Sequence, residues 1–544
     1  VEGEKHFMSE RQVYDFVIIG SGFGGSVSAL RLSEKGYRVL VLERGRRFRD
    51  EDFPETNWDL GKFLWLPLVG SYGIMEFRPF KDVLALGFSG VGGGSLGYAG
   101  VLVEPDERLF EAPSWRELGD WRSVLRSHYQ TAREMLGVME NPRLTAADRE
   151  LQAIGSALGR GQSFRPTEVG IFFGDPGETV EDPYFQGRGP ARSGCTFCGG
   201  CMIGCRHNAK NTLEKNYLYF AEKNGAEIRP EATVKRITPV GPHGSFGARY
   251  RVFYRETTNW PLKDGACVLA RNVVVSAGVL GTLRLLFHCR DEARTLPGLS
   301  ACLGEGVRTN NEELLGVTSR ESGVNYSEGI AITSILKADE VTHIEPVRYS
   351  EGSSFISLLA APLIGRGGGF LHRLGRTFWG VLQHPVDFLR TKLPSWASRS
   401  TILLVMQTEN THMRIRAGRG LMTFFRRGLV SEVDRRVMPP TEVDMGHIVA
   451  KRFAGRVNGI PQSSISEGIF GVPTTAHILG GCAMAENDAQ GVVDLACRVF
   501  NYPGLYVVDG SIMPGNPGLN PSLTIAALAE YAMSQIPPKA TEEG

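Results

Sequence analysis

The 544-residue chain predicts an α/β protein of two large, interleaved halves. Three observations carry that expectation. Residues 14–45, YDFVIIGSGFGGSVSALRLSEKGYRVLVLERG, run from a buried apolar stretch through a glycine turn and a helical pattern into a second apolar stretch, which is a βαβ unit in about 30 residues. Glycine is in excess, at 67 residues or about 12% against a usual ~7%, and it clusters rather than spreads. A second strand–loop–helix unit sits near the carboxy terminus, and the length is more than three times a ~150-residue domain.

Composition excludes several classes. Hydrophobic residues make up 42% and charged residues 22%, as in ordinary folded proteins, so disorder, collagen and a disulfide mini-protein are out. Lys plus Arg total 60 and Asp plus Glu 59, for a net charge of +1, too balanced for a nucleic-acid partner. No apolar run reaches the ~18 residues of a spanning helix, and the polar opening VEGEKHFMSERQ lacks the apolar stretch of a secretory signal, with Met8 a candidate start. The expected location is the cytoplasm, with peripheral contact to a membrane left open.

In the first unit, Gly20, Gly22 and Gly25 form G-x-G-x-x-G. The first glycine permits a tight turn, the second lets a pyrophosphate approach the backbone, and the third lets helix and strand pack closely. The helix start offers free N–H groups to phosphate. Glu43 closes the second strand, where an acid can hold both ribose hydroxyls; NAD and FAD both remain open on this unit alone. Residues 90–100, GVGGGSLGYAG, are too glycine-rich for a helix or strand interior and have apolar flanks, so backbone lying against a large flat ligand is expected over a linker.

Toward the carboxy terminus, LYVV leads to Asp509-Gly510, then a loop, then Asn520-Pro521 opening the helix SLTIAALAEYAM. Asn at N-cap and Pro at the first helical position suit that start, and the positive helix end would stabilise negative charge on a reduced ring. His477 begins HILGGC. A lone histidine is more often structural than catalytic.

Together and in this order, VIIGSGFGGSVSALRLSEKGYRVLVLERG, GVGGGSLGYAG, NVVVSAGVLGTLRLLF, HILGGCA and YVVDGSIMPGNPGLNPSLTIAALAE resemble the glucose–methanol–choline (GMC) family of FAD oxidoreductases, and within it the mycobacterial-type cholesterol oxidases, which share a C-x2-C-x2-C-x3-C run followed by AKNT and the stretch THIEPVRY. The resemblance implies a Rossmann-like FAD-binding domain interleaved with a substrate domain on a mainly antiparallel sheet. The expected FAD domain takes residues 11–48, 87–100, 206–300 and 474–537, the substrate domain 49–86, 101–190 and 301–473, and a cysteine segment 191–205. By the same resemblance Glu43 binds the adenosine ribose, Val234 and Gly278 lie near the adenine, Gly92, Gly93, Gly94 and Ser95 pass the flavin, and Asp509, Gly510, Asn520 and Pro521 complete the isoalloxazine end. His477 and Asn520 match the family's active-site pair. Tyr98 departs from the better-known bacterial enzymes, which carry Asn there.

Cys195, Cys198, Cys201 and Cys205 have the spacing of the bacterial ferredoxin run. Arg206 replaces its proline, and no second run exists. Cys195, Cys201 and Cys205 also resemble the cluster-bearing flavin glucose dehydrogenases of bacterial membranes. An iron–sulfur cluster ([3Fe-4S] or [4Fe-4S]) is expected first, with zinc and reduced structural thiols as alternatives. His207 and Lys210 read as a solvated helix start, and residues 211–225 as a helix with a glycine stop.

The leading expectation is an FAD-dependent oxidation of the CH–OH group of a bulky apolar alcohol such as a sterol 3β-hydroxyl, with hydride passing to flavin N5 and electrons going on to oxygen or, through a cluster, to a protein acceptor. A flavin/iron–sulfur electron-transfer protein, a non-sterol alcohol dehydrogenase, and an isomerase or eliminase on the same fold are the alternatives. Residues 63–80, with FLWLPLVG, and 362–396 draw notice in the substrate region. The second interleaves Arg366, Arg373, Arg376, Arg390 and Lys392 with Leu, Phe and Trp, which reads either as a core helix with a basic outer face or as an interfacial helix.

Overall fold

The computed structural model describes residues 13–241, 247–258, 265–365 and 367–540; the opening segment with Met8, and Arg366, lie outside the described residues. Val13–Ile19 (β1) is fully apolar at its end because it is covered on both faces, and it pairs in parallel with Val39–Leu42 (β2) across the helix Phe23–Glu34 (α1). This is the right-handed βαβ crossover that a parallel pair requires.

The sheet extends on both sides. Glu227–Arg229 (β4) adds in parallel to β2, and Ala266–Val275 (β7) in parallel to β1. The long β7 then divides its outer edge: its first half pairs antiparallel with Tyr250–Glu256 (β6), which pairs with Ala232–Pro239 (β5), and its second half pairs in parallel with Leu505–Val507 (β14). Four distant stretches of chain thus meet in one seven-stranded sheet. The helix Ser522–Ser534 (α6) packs on α1, joined by Arg31 and the buried Glu530 at 2.7 Å. Val279–Phe287 (α2) packs against β5.

A second seven-stranded sheet runs Ala360–Pro362 (β11), Gly459–Ser464 (β13), Glu313–Ser319 (β8), Ser400–Gln407 (β12), Thr342–Val347 (β10), Ser334–Lys337 (β9), Arg165–Pro166 (β3), and all its pairs are antiparallel. Side chains alternate between its two faces. Leu315, Val317, Ile344, Leu403 and Val405 meet the helix Asp444–Arg456 (α5) on one face. Leu404 and Met406 meet Ala99, Cys201 and Leu519 on the other. That other face looks toward the glycine loop and the first sheet, so the seam between the sheets is where a ligand of both would lie. The α/β class, with a parallel-cored Rossmann-like half and a mainly antiparallel half, is as the sequence leads one to expect.

Local differences have local causes. The helix α6 begins at Ser522 with Pro521 in the N-cap position, one residue later than the Asn520/Pro521 reading, within the ordinary uncertainty of a helix end. The helix expected over 211–225 is confined to Tyr217–Lys223, because Asn216 caps it by accepting from the Tyr217 N–H and the preceding residues form a separate 3-10 turn at Leu213–Lys215.

The helix Phe370–Gln383 (α3), followed by Pro385–Arg390 (α4), is not a core helix. Its only buried residues are Arg373 and Thr377, whereas Leu371 is 79% and Trp379 61% exposed, with Phe370, Leu374, Phe378 and Leu382 also open. The amphipathic order is inverted: the polar side is anchored and the apolar side faces out. Arg373 makes that anchor, donating to the carbonyls of Glu467 and Gly468 and pairing with Glu442 at 2.8 Å. No helix of the described residues is long and apolar enough to cross a membrane.

Candidate active site and cofactor groove

The glycine turn is built by backbone crowding. Gly20 has φ +97°, and a Cβ there would stand 2.3 Å from the Ser276 carbonyl; one on Gly25 would stand 2.0 Å from the Gly20 carbonyl. Gly22 differs, since no atom lies within 4 Å of where its Cβ would point. The open space at the start of α1 is the cradle that a pyrophosphate needs. Gly93, at φ +51°, brings the 90–100 loop against that same turn, with its Cβ position 2.7 Å from the Gly22 Cα. Gly92 donates its N–H to Ser21 Oγ at 3.0 Å, which locks loop to turn.

Glu43 is buried at the end of β2, where its carboxylate accepts from the Ser21 N–H, the Ser21 hydroxyl and the Gly45 N–H at 3.0, 2.7 and 2.8 Å. Gly278 opens α2 at φ +69° with empty space where a side chain would be, and Val234 lies on the adjoining β5. Ser95 is inside the protein rather than facing a groove: its hydroxyl donates to the Gly92 carbonyl and accepts from the Leu213 N–H. Gly94 lies beside it, in the short 3-10 turn Gly93–Leu96. Asp509 is a buried knot, accepting from Ser511 N–H and hydroxyl and from Thr282 at 2.5 Å, and burial raises its carboxyl. It fixes Gly510 and the 510–512 turn against α2. These open glycine positions, phosphate-facing N–H groups and a buried acid at the strand end fit FAD.

Across the seam, four polar side chains converge. His477 directs Nδ1 at the Glu312 Oε1, while the other Glu312 oxygen accepts the Ala476 N–H at 2.7 Å. Glu312 is buried. An Nδ1–H donated to that carboxylate leaves Nε2 as the proton acceptor. Asn520, with the amide orientation that its hydrogen-bond network demands, donates to Glu345 at 2.9 and 3.1 Å. Burial, and then the charge of Glu312, push the Glu345 carboxyl up to about 8; the Asn520 bond acts in the opposite direction. Asn310 links the two halves: its N–H meets Asn516, its amide donates to the Leu519 carbonyl, and its oxygen accepts from Gly518 at 2.8 Å. The loop carrying Asn520 is thereby latched two residues from Glu312.

Sequence reasoning named His477 and Asn520 but not the two acids they contact, Glu312 and Glu345. Glu345 stood inside THIEPVRY, at an inward position of a strand, where a charged residue is itself a signal. Glu312 had no such signal, because NNEEL reads as a polar strand start.

The cysteine segment departs from expectation. Cys195, Cys198, Cys201 and Cys205 line one small cavity of about 20 Å³, yet among the described residues no group of three or more His, Cys, Asp or Glu is disposed to hold a metal. Burial pushes the Cys195 thiol far up and the Cys201 thiol up to about 12. Nothing among the described residues supports the expected iron–sulfur cluster or zinc, and no step is routed through one. Lys210, expected at a solvated helix start, is buried and donates to the carbonyls of Leu96, Tyr98 and Cys201 at 2.8, 3.2 and 2.6 Å. It joins the cysteine turn to the glycine loop, and burial lowers its amine to about 8. Tyr98 joins the same knot by donating to the Asn211 carbonyl.

Two outcomes follow from this geometry. Gly25→Ala should cost at least about 1–3 kcal/mol by overpacking, seen as a lower thermal midpoint of the FAD-free protein. Gly22→Ala should keep that midpoint and instead lose FAD, measured as bound flavin per chain; equal midpoints for the two variants would refute the assignment of the open cradle. The second concerns Glu345, whose folded value near 8 lies above its ordinary 4.5. A raised carboxyl stabilises most at low pH, so its contribution is full below about 4.5 and is lost as pH rises to about 8. Thermal midpoints measured across that window should fall more steeply for the parent than for Glu345→Gln, and parallel curves would show that the carboxyl does not carry the proton.

Comparison with known proteins agrees with this arrangement. Residues 462–529 match the GMC oxidoreductase family and residues 18–67 the NAD(P)-binding Rossmann-like domain. The chain is 44% identical, over 97% of its length and 95% of the relative, to a protein named cholesterol oxidase from Acinetobacter baumannii. It is equally 44% identical to a cholesterol oxidase of Mycobacterium tuberculosis (strain ATCC 25618 / H37Rv), over 97% of this chain and 91% of that one. Among solved structures, pyridoxine 4-oxidase from Mesorbium loti shares the fold, with TM-score 0.58 and 16% identity over 96% of this chain and 99% of that one. With a glycine cradle shaped for FAD and a histidine–carboxylate pair across from it, the chain belongs to the GMC oxidoreductases and is an FAD-dependent alcohol oxidoreductase.

Proposed function

We propose that the protein oxidises the CH–OH group of a bulky apolar alcohol, with a sterol 3β-hydroxyl the leading substrate. The observation that carries this reading is the His477–Glu312 pair set beside Asn520 and Glu345 at the seam of the two sheets. The substrate class rests on relatives named cholesterol oxidases that align with nearly the whole chain.

FAD, when bound, supplies a hydride acceptor at N5. Gly20, Gly22 and Gly25 admit its pyrophosphate, Glu43 takes the ribose, Val234 and Gly278 border the adenine, and Gly92, Gly93 and Gly94 with Gly510 and Pro521 frame the ring end, while Ser95 and Asp509 hold those turns from behind. His477 takes the hydroxyl proton at Nε2, and Glu312 stabilises the imidazolium so formed. Asn520 orients the alcohol oxygen. Glu345, protonated at neutral pH, avoids placing a second negative charge beside Glu312 and keeps a proton next to the reacting centre. General-base assistance is worth ~10² to 10⁴ in rate, so His477→Ala should slow anaerobic flavin bleaching by sterols by about that factor with FAD retained. Stopped-flow bleaching at the parent rate would remove His477 from this role.

A sterol is held in a membrane, and the outward apolar side of α3 suits peripheral contact with one. Leu66, Leu68 and Val69 are a second outward apolar stretch, Leu68 being 98% exposed. Changing Leu371, Phe378 and Trp379 together to Ser should lower co-sedimentation with anionic liposomes while flavin content holds. Equal partition of parent and variant would dismiss the contact.

A further inference from the structure

A second buried histidine stands on the strand that carries Glu345. His343 lies two positions before Glu345 on β10, and since side chains alternate along a strand the two share a face. That face looks to the seam. Val347, two positions beyond Glu345, belongs to the cluster of Leu404, Met406 and Leu519 there, and Met406 is the β12 partner of His343, whereas Ile344 packs on the α5 side. Two residues along a strand span about 7 Å, which a carboxyl and an imidazole close directly or across one water.

The two ring nitrogens of His343 have different surroundings. Nδ1 is shut off from solvent and has no hydrogen-bond partner among the described residues. Nε2 lies 3.7 Å from Asp106 Oδ2, and Asp106, with its side chain 33% exposed, also pairs with Lys337 at the end of β9. At 3.7 Å the contact is electrostatic, and a small ring movement makes it a hydrogen bond. An Nε2–H turned to that carboxylate leaves Nδ1 as the inner acceptor. Burial keeps the ring neutral by bringing it down to about 4; Lys337 and Arg165 act in the same direction, while Asp106 and Asp339 oppose them. The ring therefore carries an extra proton only in passing. A buried nitrogen without a partner bears a desolvation cost that an apolar side chain of similar shape would avoid, so packing alone does not account for a histidine here.

We propose that His343 and Asp106 form the proton passage between the Glu345 carboxyl and solvent. This rests on the reading that Glu345 holds a proton beside the reacting centre, and it adds how that proton comes and goes. Nδ1 accepts the proton of Glu345, Nε2 gives its own proton to an Asp106 oxygen, and Asp106 passes it to water. One N–H bond forms and one breaks, so the ring is neutral at the end, and a half-turn restores Nε2–H. The reverse sequence returns a solvent proton to the Glu345 carboxylate. Glu345 can thus be reset between turnovers although it is itself closed off from water.

The test follows hydrogen–deuterium exchange of the Glu345 carboxyl in FAD-loaded protein without substrate, by rapid mixing into heavy water and infrared detection of the protonated C=O stretch, assigned by its loss in Glu345→Gln. His343→Leu, and independently Asp106→Asn at the outer end, should slow the exchange by about 10² or more, the scale on which a positioned proton carrier acts, with flavin content unchanged. Added imidazole should restore exchange in His343→Ala, which leaves room for it, and not in His343→Leu; a merely structural histidine would show no such rescue. Exchange at the parent rate in both His343→Leu and Asp106→Asn, or a parent without a C=O band that Glu345→Gln removes, would overturn the passage. Because the exchange is read without substrate, a parent whose flavin is not bleached by cholesterol would overturn the sterol reading alone.

Discussion

The arrangement depends on one buried carboxylate. Glu312 precedes the first residue of β8 and accepts from both His477 and Ala476, on a segment 165 residues further along the chain. A carboxylate taken out of water is tolerated only when its lone pairs are met. The two halves must therefore be placed so that the 474–477 segment reaches the start of β8. Thr475 adds to the same junction by donating to the Thr309 carbonyl and accepting the His477 N–H. What fixes His477 also fixes the seam between the sheets.

A second consequence concerns charge. Glu312 and Glu345 stand on neighbouring parts of one sheet face, and both are buried. Two ionised carboxyls in that environment would repel strongly. Glu312 has a histidine; Glu345 has only an amide, and its carboxyl rises to about 8. Glu345 is thereby left neutral and able to donate, beside a carboxylate that is met by a histidine. Glu313, one residue on, points the other way and is matched by His447 at 2.7 Å on α5, so the strand's alternation keeps a third acid out of the site.

Much of this was legible in the chain because local rules and the fold agreed. The βαβ unit, the triplet Gly20, Gly22 and Gly25, and Glu43 follow from short-range sterics and from strand and helix periods, and those do not depend on distant residues. His477 and Asn520 were named from motif order. Glu312 and Glu345 were not, since they meet their partners across long stretches of chain. Lys210 was misread for the same reason: a lysine in a polar stretch looks solvated until three carbonyls from two loops close on it. The cysteine spacing brings four sulfurs to one cavity, but among the described residues nothing supports a metal there.

The inverted helix α3 connects these points to the surface. Periodicity reports that one side is apolar, but not which side the fold keeps. Here the kept side is Arg373, whose guanidinium is seated on the carbonyls of Glu467 and Gly468. The Glu467 side chain in turn accepts the N–H groups of Leu314 and Thr474, which flank Glu312 and lead to His477. A helix facing outward with its apolar side is therefore tied, through Glu467, to Leu314, two residues after Glu312, and to Thr474, three residues before His477.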